Sequence, residues 1–286
     1  MYGILSDDRK YAIKLLGWHR RKRQESIMRK KKTEQRKWSV EDFDGWFFAH
    51  RGYHGGKDSQ APENSLAAFS RAVEKGFGAE LDVHLLRDGH LAVLHDSSLK
   101  RMCGKKGMIE DLSVSDLGSC RLGKSGQTIP TFEQVLEVFG GKTPLIIELK
   151  SVGNNAASLT EKVCQVLDGY EGVFCIESFD PKVVYWLKKN RPDILRGQLA
   201  MDYMKSRSGL NAAQAVIGTW LLTDFLTRPD FIAYRFSERR NLGNRFALKF
   251  MKRRGAAWTL RTPEDLKQAV EEGLWPIFEN FDPGNV

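Results

Sequence analysis

The stretch Ala-Glu-Leu-Asp-Val-His-Leu-Leu at positions 79–86 carries the clearest structural signal in the chain. Apolar and ionisable residues alternate in it, and this two-residue period is typical of a β-strand whose successive side chains point to opposite faces. Glu80 and Asp82 therefore share one face of the predicted strand. The stretch predicts a strand that presents two carboxylates among apolar neighbours.

Strand and helix patterns alternate on both sides of this stretch. Strands are predicted at 46–51, 79–86, 91–95, 144–150, 173–179, 195–201, 231–236, 256–260 and 275–279. Helices are predicted at 65–75, 132–139, 159–167, 183–190, 245–253 and 263–272. Such alternation favours an α/β fold with a parallel sheet. Roughly eight strand–helix units in about 240 residues favour a closed (β/α)8 barrel, a TIM barrel, over an open doubly wound sheet.

Two segments interrupt this alternation. Residues 97–130 are rich in turn-forming residues and are predicted to be a small insertion after the second strand unit. Residues 203–230 contain the apolar stretch 212–226, with Trp220 and Phe225. This stretch is either the fifth helix of the barrel, packed on the sheet, or a mobile apolar lid near the mouth that touches lipid or an acyl chain.

Charge is distributed unevenly along the 286 residues. Residues 1–37 contain 13 Lys and Arg against 4 Asp and Glu, a balance of +9 that equals the net charge of the whole chain. We therefore predict a basic N-terminal extension at 1–44 and a barrel domain at 45–286. The extension is expected either to contact an anionic membrane surface, through residues 1–37, or to stay solvated. Nucleic acid is the less favoured partner, because the remaining residues are neutral as a group.

The sequence also indicates the cellular compartment of the protein. No apolar run approaches the roughly 20 residues that span a bilayer, and the first 20 residues lack the apolar core of a secretory signal. The four cysteines match no CxxC or zinc pattern and are expected to be reduced. We expect a cytoplasmic protein, with peripheral membrane contact as an open alternative.

Ionisable residues gather where the predicted strands end. In a barrel, the carboxyl ends of the strands form the active-site face. Glu80, Asp82 and Glu148 converging there would repel one another. A hard divalent cation with a preference for oxygen ligands, Ca²⁺ or Mg²⁺, would resolve that conflict. These three residues are therefore candidate metal ligands.

The same ends of the strands carry two histidines and two cations. His50 and Arg51 end the first predicted strand, His95 ends the third, and Lys150 ends the fourth. Arg51 and Lys150 suit the negative charge of a phosphodiester. Two imidazoles that titrate near neutral pH suit the removal of one proton and the delivery of another. The spacing predicts an acid–base pair and leaves open which histidine takes the first proton.

Several strings of the chain, in order, closely resemble the motifs of the glycerophosphodiester phosphodiesterase family. The resemblance rests on Ala-His-Arg-Gly at 49–52 with Ala-Pro-Glu-Asn-Ser at 61–65, Glu-Leu-Asp-Val at 80–83, Arg-Asp-Gly at 87–89, Val-Leu-His-Asp at 93–96 with Leu99 and Arg101, Ile-Pro-Thr-Phe-Glu at 129–133 and Ile-Glu-Leu-Lys at 147–150. Weaker signatures follow at 177–179 and 258–260. The resemblance covers about residues 46–283. It departs at the last strand, where the family usually has Thr-Asp and this chain has Phe278-Glu279-Asn280.

The resemblance implies specific roles for individual residues. The fold it implies is a TIM barrel with an insertion, here at about 97–130. Residues matching His50 and His95 serve as general base and general acid, and those matching Glu80, Asp82 and Glu148 hold Ca²⁺ or Mg²⁺. Arg51 and Lys150 match phosphate-contacting positions. Glu63 matches an acidic residue that contacts the metal or supports His50, with a structural role at the start of a helix as the alternative. Trp258 either stacks against substrate or fills the barrel mouth.

These features together predict a metal-dependent phosphoric diester hydrolase. The expected reaction converts a glycerophosphodiester into glycerol 3-phosphate and an alcohol. One alternative is a lysophospholipase D-like or phospholipase-like enzyme that accepts lysophospholipids or other acyl-bearing substrates. A second alternative is a non-catalytic module that binds anionic lipid or nucleic acid through its basic N-terminus.

Overall fold

Eight parallel strands close into a barrel in the computed structural model, which describes residues 37–206 and 210–285. The eight strands of the ring and one additional strand outside it, β3, are β1 (Phe48–His50), β2 (Gly78–Leu85), β3 (Leu91–Val93), β4 (Leu145–Leu149), β5 (Phe174–Ser178), β6 (Arg196–Ala200), β7 (Phe231–Arg235), β8 (Arg254–Leu260) and β9 (Trp275–Phe278). Neighbours pair in the order β1-β9-β8-β7-β6-β5-β4-β2, and β1 pairs with β2 to close the ring. The predicted (β/α)8 barrel is confirmed.

Helices connect most of the strands. They are α1 (Leu66–Lys75), α2 (Lys100–Cys103), α3 (Phe132–Phe139), α4 (Ala156–Leu167), α5 (Pro181–Asn190), α6 (Ala212–Thr219), α7 (Asp224–Thr227), α8 (Leu242–Lys249) and α9 (Pro263–Glu271). Their starts follow ordinary capping chemistry. The Ser65 hydroxyl accepts a hydrogen bond from Ala68 N at the start of α1, and Thr131 does the same for Gln134 N at the start of α3. No helix of the described residues is long and apolar enough to cross a membrane.

Aromatic side chains fill the amino-terminal end of the barrel. Phe43 lies in a short 3-10 turn (Val40–Phe43) and is fully buried, with its ring centroid 4.9 Å from that of Trp275. The indole N–H of Trp275 donates to Asp44, which also pairs with Arg254. Residues just before β1 thus cover the barrel floor. Residues 1–36, which hold most of the predicted extension, lie outside the described residues.

The segment predicted to be an insertion, 97–130, has an apolar cluster of its own. It follows β3, which pairs antiparallel with the end of β2 outside the ring. Short helical turns in the segment bury Leu99, Met102, Ile109 and Leu117 against Leu94. This small core fixes the insertion beside the carboxyl ends of β1 and β2.

Residues 203–230 do not form one fifth helix. The apolar stretch divides into α6 and α7, because Leu221 adopts a left-handed φ of +54° that no continuous α-helix accommodates. Ala215 and Leu221 pack inward, whereas Trp220, Leu222 and Phe225 are exposed. The stretch is therefore two short helices with a largely apolar outer surface.

Candidate active site

His50 is held at the end of β1 by a carboxylate from the opposite end of the chain. Its Nδ1 lies 3.3 Å from Oε1 of Glu279, the residue after β9. Glu279 also accepts from His54 Nε2 at 3.2 Å and pairs with Arg261 at 2.9 Å. These hydrogen bonds keep the pKa of Glu279 far below its usual range although burial opposes this. Because Glu279 is ionised, it accepts a hydrogen bond from Nδ1–H of His50. Nε2 of His50 then faces the site, 3.9 Å from Glu80 Oε2.

His95 has the same kind of support. Its Nδ1 lies 2.6 Å from Oδ1 of Asp96. Burial raises the pKa of Asp96, but its hydrogen bonds to Arg101 and His95 outweigh that and lower it to about 2. Asp96 is therefore ionised and accepts from Nδ1. Both imidazoles thus present Nε2 to the site, although the side chain of His95 is 33% exposed and that of His50 only 12%.

Arg101, from the insertion, links the support of His95 to Arg51. Its guanidinium donates to both oxygens of Glu63, at 2.7 and 2.8 Å, and also bonds to Asp96. Glu63 in turn accepts from Arg51 Nη1 at 2.9 Å. A continuous chain of charge-assisted hydrogen bonds therefore runs from Arg51 to His95. Glu63 serves this chain by binding the two arginines, and the carboxylate that bonds to Nδ1 of His50 is Glu279.

Three carboxylates and one lysine converge between the histidines. One ligand atom from each of Glu80, Asp82 and Glu148 lies within 4.8 Å of the others, and all three residues are buried. Lys150 Nζ lies 3.0 Å from Asp82 Oδ1 and 2.8 Å from Glu148 Oε1. They meet because the parallel register of β2 and β4 places Asp82 beside Glu148.

The pKa values of the three carboxyl groups are shifted in different directions. Burial, together with the charges of Asp82 and Glu148, raises the pKa of Glu80 well above its usual value. Burial acts on Asp82 as well, but Lys150, His95 and Arg51 outweigh it and hold its pKa well below its usual value. Burial raises the pKa of Glu148 to about 7 despite Lys150. The nearby cations therefore offset the burial of Asp82 and leave a deficit of positive charge at Glu80 and Glu148.

This charge deficit is what a hard cation would fill. All three residues offer oxygen donors, and the protein's own cations leave two carboxyls with raised pKa values. Asn64, which has a φ of +56°, holds Asp82 in place by donating from Nδ2 to Oδ2 at 2.7 Å. The predicted ligands thus fit a divalent metal by their chemistry and by their proximity.

Burial lowers the pKa of both histidines. Burial lowers the pKa of His50 from 6.5 to about 4, more than its bond to Glu279 raises it. Burial also lowers the pKa of His95, and the charge of Asp82 opposes that change. His50 is therefore neutral near pH 7. A neutral imidazole with a free Nε2 is equipped to accept a proton.

Trp258 lies across the barrel from the carboxylates, near the end of β8. Its indole N–H donates to Ala233 O at 3.0 Å, and its ring meets Phe179 edge-on at 5.6 Å. The Arg235 guanidinium lies 5.3 Å from the ring. Tyr203, which follows β6, belongs to the same apolar group. This side of the mouth offers flat apolar surface to a substrate.

Sequence reasoning had missed several residues of the site. The sequence identifies Glu279 only as a departure from the family, and it predicts no catalytic or binding role for Arg101, Asn64 or Asp96 individually. Glu177 is a further buried carboxyl, beside Glu148 in the strand register; burial raises its pKa, and its Oε2 has no hydrogen-bond partner within 37–206 and 210–285. The sequence feature that could have identified Glu177 is its position in β5, directly after the apolar residues Phe174, Cys175 and Ile176.

Comparison with known proteins gives one family. The model of the glycerophosphoryl diester phosphodiesterase family matches residues 50–281. Glycerophosphodiester phosphodiesterases of Caldanaerobacter subterraneus and Bacillus altitudinis are 35% and 34% identical to this chain over 51% and 54% of its length. The matches span 64% and 66% of those relatives' own lengths, just under two thirds.

Solved structures share the fold. A phosphodiesterase of Oleispira antarctica, in complex with the product sn-glycerol-3-phosphate, superposes with a TM-score of 0.69 at 23% identity, covering 85% of this chain and 95% of that one. A glycerophosphodiester phosphodiesterase of Thermotoga maritima gives a TM-score of 0.62 at 24% identity, covering 84% and 95%. At this identity the likeness supports the barrel itself.

Proposed function

This chain belongs to the glycerophosphoryl diester phosphodiesterase family, and we propose that it hydrolyses glycerophosphodiesters to glycerol 3-phosphate and an alcohol. One observation carries the proposal. Two imidazoles, each oriented by its own carboxylate, face a single buried cluster of three carboxylates. That arrangement supplies an acid, a base and an anchor for positive charge, which are the three requirements of phosphodiester cleavage.

His50 acts as the general base. Its low pKa keeps it neutral, and the bond from Nδ1 to Glu279 leaves Nε2 to accept a proton from water or from a neighbouring substrate hydroxyl. His95 acts as the general acid and protonates the leaving oxygen. A bound phosphodiester anion raises the pKa of His95 and favours its protonated form, as Asp82 and Asp96 already do.

Positive charge holds the phosphate. Arg51 and Lys150 are the cations nearest the carboxylate cluster, and we assign them to the non-bridging oxygens. Glu80, Asp82 and Glu148 would hold Ca²⁺ or Mg²⁺. A bound divalent cation supplies charge that stabilises the transition state. Lys150 then takes part in balancing these carboxylates as well as in contacting substrate.

A substrate panel tests the proposed reaction. We expect release of glycerol 3-phosphate from glycerophosphocholine in the presence of Ca²⁺ or Mg²⁺, and loss of that release in excess EDTA, restored by adding the effective metal back. Full activity in excess chelator would remove the metal from the account. Lack of turnover of every glycerophosphodiester with either metal would refute the reaction. Faster hydrolysis of lysophosphatidylcholine than of glycerophosphocholine would instead assign the acyl-bearing alternative.

Substitution of a proposed metal ligand gives an independent readout. Glu148→Gln keeps the shape of the side chain and removes a negative ligand. We expect it to weaken binding of the effective metal, measured by calorimetry without substrate, and to abolish most turnover. Glu137→Gln on the outer surface of α3 is the matched control, since Glu137 lies far from the cluster in the fold. Unchanged metal affinity in Glu148→Gln would exclude this residue as a ligand.

A further inference from the structure

Large apolar side chains are exposed on one side of the barrel. Nine of the twelve large apolar residues that are exposed in the described part of the chain lie between positions 211 and 254. Phe225 and Phe250 are 64% and 75% exposed, and Trp220 is 46% exposed. Soluble monomers seldom concentrate such residues on one face, so this concentration indicates a binding surface.

Helix α8 leaves two of its large apolar side chains exposed. It packs on the barrel with Ala247 and Leu248 and presents Leu242 and Phe246 to solvent. Phe250 continues the same row, and its ring stacks on that of Phe246 at 5.2 Å. An ordinary barrel helix would bury its largest apolar side chains. The row is therefore available to a partner.

The exposed residues of α6, α7 and α8 form one continuous surface. A Cβ on Gly243, at the start of α8, would lie 2.7 Å from the backbone of Trp220, so only glycine allows the two segments to pack this closely. We call residues 216–226 together with Leu242, Phe246 and Phe250 the apolar face. On its inner side, α6 packs through Gly218 against the ring of Tyr203. Tyr203 belongs to the same cluster as Trp258 at the barrel mouth, so the face reaches the entrance of the site.

Positive charge surrounds the apolar face. Residues 211–254 contain nine Lys and Arg and three Asp and Glu. Five of the basic residues are exposed: Arg228, Arg240, Arg245, Lys249 and Lys252. The acidic residues point inward. Asp224 is fully buried, Asp230 accepts from Arg196 N, and Glu238 accepts from Asp202 N. The outer charge of this surface is thus almost wholly positive.

We propose that the apolar face docks this protein on an anionic phospholipid bilayer. Aromatic and aliphatic side chains would enter the boundary between headgroups and acyl chains, while the surrounding Lys and Arg side chains contact anionic headgroups. A second copy of the chain is the less suitable partner, because two such positive surfaces would repel each other. A nucleic acid would match the charge but would leave the protruding Phe side chains without apolar contact. The proposal concerns a surface and holds whatever substrate the barrel hydrolyses.

Vesicle co-sedimentation of the full chain tests the docking. We expect binding to equimolar phosphatidylcholine and phosphatidylglycerol vesicles, and much weaker binding to phosphatidylcholine alone. The double variants Phe225→Ser/Phe250→Ser and Arg245→Glu/Lys249→Glu should each weaken binding to the anionic vesicles at least about tenfold, or about 1.4 kcal/mol. All four side chains are exposed, so thermal unfolding should be unchanged.

Matched controls distinguish binding by this surface from non-specific binding through exposed apolar or basic residues elsewhere. Met108→Ser/Val152→Ser removes exposed apolar residues elsewhere, and Lys142→Glu/Lys267→Glu reverses exposed charges elsewhere. Both should bind as the unmodified chain does. The basic residues 1–37 are present in every variant. If both test variants bind normally, that segment accounts for docking and the proposal is wrong. The proposal is also wrong if the unmodified chain does not bind anionic vesicles, or if the chain dimerises in solution through the Phe225 and Phe250 surface.

Discussion

The two halves of this barrel treat charge in opposite ways. Around β1, β2, β4 and β9, ionisable side chains are buried and held by one another, as in the links from Glu279 to His50 and from Arg101 to Asp96. Around β6, β7 and β8, the helices outside the strands expose apolar side chains, and five basic side chains among them face solvent. Under the two proposals above, one half performs the chemistry and the other meets substrate or membrane. Substitutions in the two halves should therefore fail in different ways.

The largest effect is expected from the two histidines. His50→Ala and His95→Ala should each lower kcat by roughly 10²–10⁴-fold, the usual contribution of a positioned acid or base. Circular dichroism should show a folded chain, since both side chains face the open end of the barrel. His90→Ala is the control, because His90 lies exposed in a turn, where its imidazole pairs with Asp88. Near-normal turnover in both variants would contradict the assignment of chemistry to this half.

Arg101 should have a smaller effect, because it acts through other residues. Arg101→Ala removes the link between Glu63 and Asp96, and the resulting freedom of Arg51 and His95 should lower kcat/KM by roughly 10–100-fold. Arg101→Lys keeps the charge but not the forked geometry, so it should recover only part of the activity. Lys100→Ala, on the same short helix, is the control.

A pH profile distinguishes this positioning role from a merely structural one. Loss of Arg101 leaves the negative charge of Asp96 uncompensated, which should raise the pKa of His95. The alkaline limb of the plot of kcat against pH should therefore move to higher pH. A variant that loses thermal stability but keeps the profile of the unmodified enzyme would show that Arg101 only braces the insertion.

Local pattern predicted the frame of this site well. The helix expected at 132–139 is observed at Phe132–Phe139, and the two-residue period brought Glu80 and Asp82 to one face of β2. The shared face of these residues and their proximity to Glu148 follow from strand geometry alone.

Partners that are distant in sequence could not be predicted in this way. Glu279 lies 229 positions from His50, and Arg101 lies 38 from Glu63; no local period encodes such pairs. One of the two alternatives for 212–226, a single barrel helix, is wrong because the turn at Leu221 depends on one backbone angle, which apolar composition does not reveal. The order of proton transfer rests on the resemblance and stays a prediction, and the lowered pKa of His50 agrees with its proposed role as the base.

Trp258 tests the half that meets substrate. If its ring stacks on substrate, Trp258→Ala should raise KM about tenfold, or about 1.4 kcal/mol, with kcat little changed. Trp258→Phe keeps a flat ring but loses the hydrogen bond to Ala233 O, so its KM should lie between those of the unmodified enzyme and Trp258→Ala. Unchanged KM with a lower melting temperature would mean that the indole only fills the barrel mouth.

The smallest effect concerns the stability contributed by one buried carboxyl group in the apolar half. Asp224 is fully buried at the start of α7, and neither carboxyl oxygen has a hydrogen-bond partner in the described ranges. Burial raises its pKa to about 7, which the charge of Arg253 only partly offsets. In the unfolded chain the ordinary value of 3.8 applies. The folded state therefore favours the proton, and the stability from this group is complete below about pH 4 and lost as the pH rises through about 7.

Asp224→Asn removes this dependence, because the amide does not ionise. Relative to the unmodified chain, the variant should gain about 1–3 kcal/mol of unfolding free energy between pH 5 and pH 8, measured by urea denaturation at both values. The absolute stability at pH 5 is a separate matter, since a buried amide without partners also carries a cost. Glu63→Gln provides the opposite case from the reactive half: its carboxylate is bound by two arginines, which lower its pKa against burial, so the unmodified chain should be the more stable one at pH 8. Equal pH slopes for Asp224→Asn and the unmodified chain would show that Asp224 is ionised in the fold, and that the apolar half accommodates charge as the reactive half does.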